Sequence, residues 1–212
     1  MWRERTILKH TGGVIGASWS PNGEYIASIG SDRYVMIYYF DTGRVVSFIT
    51  DPKYVPTCLC WSSCSRYIAT GMENLSIYVW DVQHRRIARK LLGHSDTINC
   101  ISWFQNYLAS GDNAKIIMIW DVDSESCINI LHGHMGHVFD IDWRYDGSYL
   151  VSCGADREII VWRTDTWKVI TKLSGHLDSV VAVAFNSEGT LIASCGKDRI
   201  IRIWRFCTWR PF

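Results

Sequence analysis

The run SCGADREIIVWR, Ser152 to Arg163, returns 42 residues later as SCGKDRIIRIWR, Ser194 to Arg205. Its Ser, Cys, Gly, Asp, Arg, Ile, Trp and Arg recur in register. The pair is the tail of a longer series. Trp204, Trp162, Trp120 and Trp80 are spaced 42, 42 and 40 apart, and Tyr38 lies 42 before Trp80. A second series is Trp19, Trp61, Trp103, Trp143 and Phe185. Each of its members ends an apolar run such as INCISW or VVAVAF. A third is His10, His94, His134 and His176, three of them in Gly-His pairs. Five units tile nearly the whole chain, at approximately 5–40, 44–81, 85–121, 126–163 and 167–206. A unit of this length cannot bury its own faces, so copies must pack on one another.

Each unit reads as four short strands. In the last one these are TWKVITKL, SVVAVAF, TLIASC and RIIRIW. Val, Ile, Thr and aromatics fill them, and Gly, Asp, Asn and Ser bound them. No stretch holds a helical period. A period of 40 to 42 with four strands is the signature of a β-propeller blade. The residues resemble the WD-repeat family. Gly93-His94, Gly133-His134 and Gly175-His176 match its Gly-His element, and Trp80-Asp81 and Trp120-Asp121 match its Trp-Asp ending. Trp162-Arg163 and Trp204-Arg205 keep the Trp alone. The expected fold is all-β: a single propeller domain over 1–212, with about five four-stranded antiparallel blades. The opening TILKH should pair with the last three strands and close a monomeric ring.

Ser, His and Asp recur together, which raises the question of a hydrolase triad. The sets are His134, Ser152, Asp156 and Trp162, then His176, Ser194, Asp198 and Trp204. In a four-stranded meander the first and third connections lie at one end, so His and Asp can meet there. Ser falls opposite the Trp of the next strand. Indole, hydroxyl, imidazole and carboxylate then form one chain of hydrogen bonds. This resembles the structural tetrad of WD-repeat blades. A nucleophile needs a free oxygen, and an enzyme needs one such site rather than several. The first unit offers His10, Ser28 and Asp32 with Tyr38 in place of Trp. The second has Pro52, Thr70 and Asn74, which breaks the network. The third has His94, Ser110 and Trp120, but Ala114 stands where the Asp is expected, and Asp112 two positions earlier is read as idle. No catalytic, cofactor or metal site is expected.

Of eight cysteines, Cys58, Cys60, Cys153 and Cys195 fall inside apolar strand-like runs, and there is no Cys-x-x-Cys pair. They read as reduced, structural thiols. Net charge is +1, which disfavours a nucleic-acid partner. No signal peptide and no bilayer-length apolar run appear, so an intracellular protein of cytoplasm or nucleus is expected. The loops HGHMGH and HRRIARK stand out. The first is read as an ordinary loop, and the second as a solvated outer edge.

The resemblance implies a non-enzymatic interaction scaffold within a multiprotein complex, binding proteins or peptides. The end carrying the His and Asp loops is the expected surface, with Lys53, Tyr54, Glu73, Asp96, His137, Asp178 and Lys197 as candidates. The alternatives are an anionic-lipid or nucleic-acid adaptor using Arg85, Arg86 and Arg89, and a fragment of a larger WD-repeat protein.

Overall fold

A computed structural model describes residues 9–40, 44–49 and 53–205. Its described residues form nineteen strands in five antiparallel sheets and no helix. The first sheet holds β1 (Val14–Trp19), β2 (Tyr25–Gly30), β3 (Tyr34–Tyr39) and β4 (Val45–Ile49). The second holds β5 (Pro56–Trp61), β6 (Tyr67–Met72), β7 (Ser76–Asp81) and β8 (Arg86–Leu92). The third holds β9 (Ile98–Phe104), β10 (Tyr107–Asp112), β11 (Ile116–Asp121) and β12 (Ser126–His132). The fourth holds β13 (Val138–Trp143), β14 (Tyr149–Gly154), β15 (Glu158–Arg163) and β16 (Lys168–Ser174). The fifth holds β17 (Val180–Phe185), β18 (Leu191–Gly196) and β19 (Ile201–Arg205). These are the five blades of a β-propeller, each a meander in chain order.

The sheets are offset from the sequence units. β16 opens the fifth unit, yet it pairs with β15, with Val169 opposite Trp162. The first strand of a unit is therefore the outer strand of the blade before it. HRRIARK accordingly lies on β8, the outer edge of the second blade. The offset places His94, His134 and His176 on connections between two blades.

The second and third strands of every blade meet in the same turn. Arg33, Leu75, Lys115, Arg157 and Arg199 all take a left-handed φ of 66–71° there. A left-handed residue after a tight turn lets a short hairpin keep the twist of its strands. That repeated geometry sets the register of the aromatic series. Tyr38, Trp80, Trp120, Trp162 and Trp204 stand opposite Ile26, Ile68, Leu108, Leu150 and Ile192.

The core lies between consecutive blades. Val151, Cys153, Ile159 and Val161 of the fourth pack on Val180, Val183 and Ile192 of the fifth, all buried. Polar groups also cross these junctions. The indoles of Trp61 and Trp143 donate to the carbonyls of Ser18 and Ser102 in the preceding blade, at 3.1 and 3.2 Å. Asp140 and Asp142 on β13 accept from the backbone N–H groups of Val183 and Phe185 on β17, at 2.9 and 2.8 Å. Burial raises both carboxyls above the usual range, Asp140 to about 6.

The expected pairing of TILKH with the last blade falls on residues that lie largely outside those described. Among the described residues the fifth sheet has three strands. The blades pack first on second through fourth on fifth, and among the described residues no comparable contact joins fifth to first. Ile159 and Val161 are 0% exposed, whereas their counterparts Ile201 and Ile203 are 75% and 62% exposed.

The seven described cysteines are unpaired. Burial pushes the Cys58 thiol up to about 11, and Cys60, Cys100 and Cys153 also move upward. Thiols held in this form are poor nucleophiles. No helix among the described residues is long and apolar enough to cross a membrane.

Candidate functional site

The His and Asp loops gather at one end of the propeller. In the fourth blade the Trp162 indole lies 2.8 Å from Ser152 Oγ, His134 Nε2 2.8 Å from the same oxygen, and His134 Nδ1 2.8 Å from Asp156. The fifth repeats this with Trp204, Ser194, His176 and Asp198 at 2.9, 2.9 and 2.8 Å. The first blade joins His10 to Ser28 at 2.7 Å and to Asp32 at 2.9 Å. Tyr38 is buried at its Trp position. A carboxylate can only accept, so each His carries its proton on Nδ1. Nε2 then accepts from the Ser hydroxyl, whose oxygen accepts from the indole. Ser28, Ser110, Ser152 and Ser194 are all buried. The oxygens of Ser110, Ser152 and Ser194 are engaged on both sides, by an imidazole and an indole, and that of Ser28 is engaged by His10.

The carboxylates are held in their charged form. Burial works against ionisation of Asp32, but hydrogen bonds from His10 and from the N–H groups of Thr11 and Tyr34 outweigh it and hold the carboxyl at about 2. Asp156 and Asp198 are lowered against burial by the equivalent bonds.

The third blade corrects the sequence reading. Asp112 is not idle: His94 Nδ1 lies 2.7 Å from its carboxylate, and Trp120 completes the set through Ser110 at 2.8 Å. The tetrad is whole although Ala114 occupies the usual slot. The third unit is two residues shorter than its neighbours between Trp103 and Trp120. Ser110 and Trp120 keep the ten-residue separation of Ser152 and Trp162, and the short segment is the hairpin at Gln105 and Asn106. The position two after the Ser is Gly30, Met72, Asp112, Gly154 and Gly196 in the five blades. A Cβ built on Gly30 would stand 2.5 Å from His10 Nδ1. That position points at the imidazole, so a carboxylate placed on it reaches the same nitrogen. A Gly-to-Asp change at one slot paired with Asp-to-Ala at the other is the signal that could have found it.

The second blade uses the same position differently. Trp80 still donates to Thr70 Oγ1 at 2.9 Å, and the buried Met72 supplies its sulfur at 3.5 Å where an imidazole would sit. Asn74 turns instead to the Tyr78 hydroxyl at 3.1 Å.

The candidate binding residues divide. Lys53, Asp96, His137, Asp178 and Lys197 are exposed at the His/Asp end. Glu73 is exposed there too and accepts from the Val55 N–H at 3.2 Å. Tyr54 departs from the expectation of an exposed anchor. It is half-buried against the first core cluster, with Lys53 Nζ 5.2 Å from its ring centre. Apolar packing of the ring overrides its polar tip. On the outer edge Arg85 and Arg86 are exposed, but Arg89 pairs with Asp123 at 2.8 Å.

Met135 and Leu177 escaped the sequence reading. Each follows a tetrad His, and each is 76% exposed. Their backbone N–H groups donate to the tetrad carboxylates Asp156 and Asp198, at 2.8 and 3.1 Å. The tetrads therefore anchor the backbone that carries two exposed apolar side chains. The signal was present as an apolar residue directly after the His in blades four and five, where blades one and three have Thr11 and Ser95.

These antiparallel blades with repeated tetrads define a class of β-propeller, and comparison with known proteins agrees. The profile of the WD domain, G-beta repeat, matches residues 125–163 and 167–205, and that of the anaphase-promoting complex subunit 4 WD40 domain matches 17–106. The chain belongs to the WD-repeat family. It is 28% identical over 105 residues to pre-mRNA-processing factor 19 of Bos taurus, covering 47% of this chain and 20% of that protein. It is 28% identical over 96 residues to pre-mRNA-splicing factor cwf17 of Schizosaccharomyces pombe, covering 45% and 28%. It is 29% identical over 85 residues to the APC/C activator protein CDH1 of Saccharomyces cerevisiae, covering 40% and 14%. A chain in a crystal structure of the mitotic checkpoint complex superposes with a TM-score of 0.84 at 27% identity, covering 92% of this chain and 62% of that one. The chain thus spans less than a third of these curated relatives.

Proposed function

We propose that this protein is a non-enzymatic scaffold that binds protein or peptide partners inside a multiprotein assembly of the cell. The observation that carries this reading is the pair Met135 and Leu177. Each is an exposed apolar side chain on a loop that a buried tetrad holds still. An anchor already in its bound conformation loses little entropy on association. His137, Asp178 and Lys197 surround them with charge and hydrogen-bonding capacity, as a polar rim does. The Ser, His and Asp groups that resemble catalytic machinery are consumed by one another, four times over. The relatives named above include splicing factors, an activator and a member of a checkpoint complex, which supports work within assemblies.

Affinity capture with mass spectrometry tests this reading. Lys197→Glu on the His/Asp end should lose partners, and Arg86→Glu on the outer edge should keep them. Loss confined to Arg86→Glu, together with salt-dependent binding to anionic vesicles or RNA, would transfer function to the basic edge.

A further inference from the structure

At the end of the propeller opposite the tetrads, the third-from-outside strand of each of the first four blades opens on a tyrosine, and that of the fifth on Leu191. Tyr67, Tyr107 and Tyr149 open β6, β10 and β14. Two of these rings carry an arginine of the chain itself. Arg66 and Arg89 sit 5.0 and 5.7 Å from the centre of Tyr67, and Arg144 sits 5.6 Å from that of Tyr149. A cleft beside Tyr25, which opens β2, is likewise lined by Arg66. Among the described residues no cation lies over Tyr107.

A cleft of about 250 Å³ opens there instead, between the third and fourth blades. Its walls are Phe104, Tyr107, Trp143 and Trp167, with Ile128 and Asp165 at the rim. The rings are set at angles. Phe104 stacks on Trp143 at 5.7 Å and 28°, and Trp167 stands edge-on to Trp143 at 6.1 Å and 80°. Gly147, at φ 72°, permits this, because a Cβ there would run into the Phe104 ring.

The substitutions relative to the Tyr25 cleft all move in one direction. Two units earlier in the chain, the places of Ser148, Asp165 and Trp167 are held by Arg66, Gln83 and Arg85. Two cations are gone, and a carboxylate and an indole have come. Asp165 does pair with Arg163 at 3.0 Å, but both side chains are about half exposed, and such pairs yield readily to a competitor. The cleft is thus an aromatic corner with no cation among its lining residues and a rim carboxylate, Asp165, shared with the exposed Arg163.

We infer that this cleft is a binding site for an arginine side chain of a partner peptide. A guanidinium stacks on aromatic faces and forks onto a carboxylate. The site lies away from the His/Asp end, and it stands whether or not that end binds a partner.

Titration of the full chain with N-acetyl-arginine amide, read on the indole N–H signals of Trp143 and Trp167, tests it. Saturable shifts at both indoles are expected. N-acetyl-citrulline amide, which keeps the shape and lacks the charge, should bind at least fivefold more weakly. Asp165→Asn should weaken arginine binding severalfold, and Trp167→Ala should abolish it while leaving the Trp162 and Trp204 indole signals in place. No saturable shift, equal binding of citrulline, or unchanged binding by Asp165→Asn would overturn the assignment.

Discussion

His94 Nδ1 lies 2.7 Å from the Asp112 carboxylate, and both side chains are fully buried. The pair is equivalent to His134 and Asp156, reached from a different backbone position. Asp112→Ala would leave the imidazole N–H without an acceptor in a closed space. We expect a loss of roughly 1–3 kcal/mol in unfolding free energy, the usual cost of an orphaned buried group. Asp112→Gly combined with Ala114→Asp moves the carboxylate to the slot used by blades four and five. That double variant should recover most of the loss in a urea titration. An Asp112→Ala protein as stable as wild type would show that the network contributes nothing.

The buried Asp140 gives stability a particular dependence on pH. Its carboxyl is raised from 3.8 to about 6 by desolvation, which outweighs the N–H groups of Val183 and Ile141 that favour the charge. The folded state therefore binds more protons than the unfolded state between about pH 4 and 6. This contribution is fully present below pH 4 and is lost as pH rises through 6. Asp32 acts oppositely. Held at about 2, it contributes above pH 4 and that contribution is lost as pH falls toward 2. Asp140→Asn keeps an acceptor for Val183 and removes the charge. Its melting temperature should gain on wild type as pH goes from 4 to 7. A constant difference across that range would contradict the assignment.

Ile201 and Ile203 present an apolar strip that the other blades bury completely, as Ile159 and Val161 show. Val14 and Ile15 expose another on β1. Uncovered apolar area of this kind drives association. Light scattering after size exclusion should give a mass above 24.4 kDa that rises with concentration. Ile201→Lys with Ile203→Lys should lower it. A concentration-independent monomer would mean that another part of the chain covers the strip.

The architecture was legible because the period of 40 to 42 residues repeats five times with aromatic landmarks, and only stacked blades satisfy that pattern. The His, Ser and Asp sets of the first, fourth and fifth blades were legible for the same reason: the spacing of His134, Ser152 and Asp156 recurs in His10, Ser28 and Asp32 and in His176, Ser194 and Asp198. Asp112 was not, because alignment assigns a role to a slot, whereas the imidazole requires only an oxygen in reach. Two backbone positions deliver one. The blade boundaries were hidden because hydrogen bonds join β15 to a strand from the next unit, and periodicity is blind to where a repeat is cut. The buried carboxylates Asp140 and Asp142 were not legible in the sequence. Their burial arises from the neighbouring blade, which no single strand reveals. Tyr54 read as exposed for the converse reason.

The central claim is that the tetrads are architecture holding apolar anchors for a partner. The most direct measurement is quantitative affinity capture with Met135→Glu/Leu177→Glu against wild type, after matched melting temperatures establish that both fold. The account predicts that the double variant loses most of the partners wild type retains. Retention of the same partners at the same levels by a fully folded double variant would contradict it.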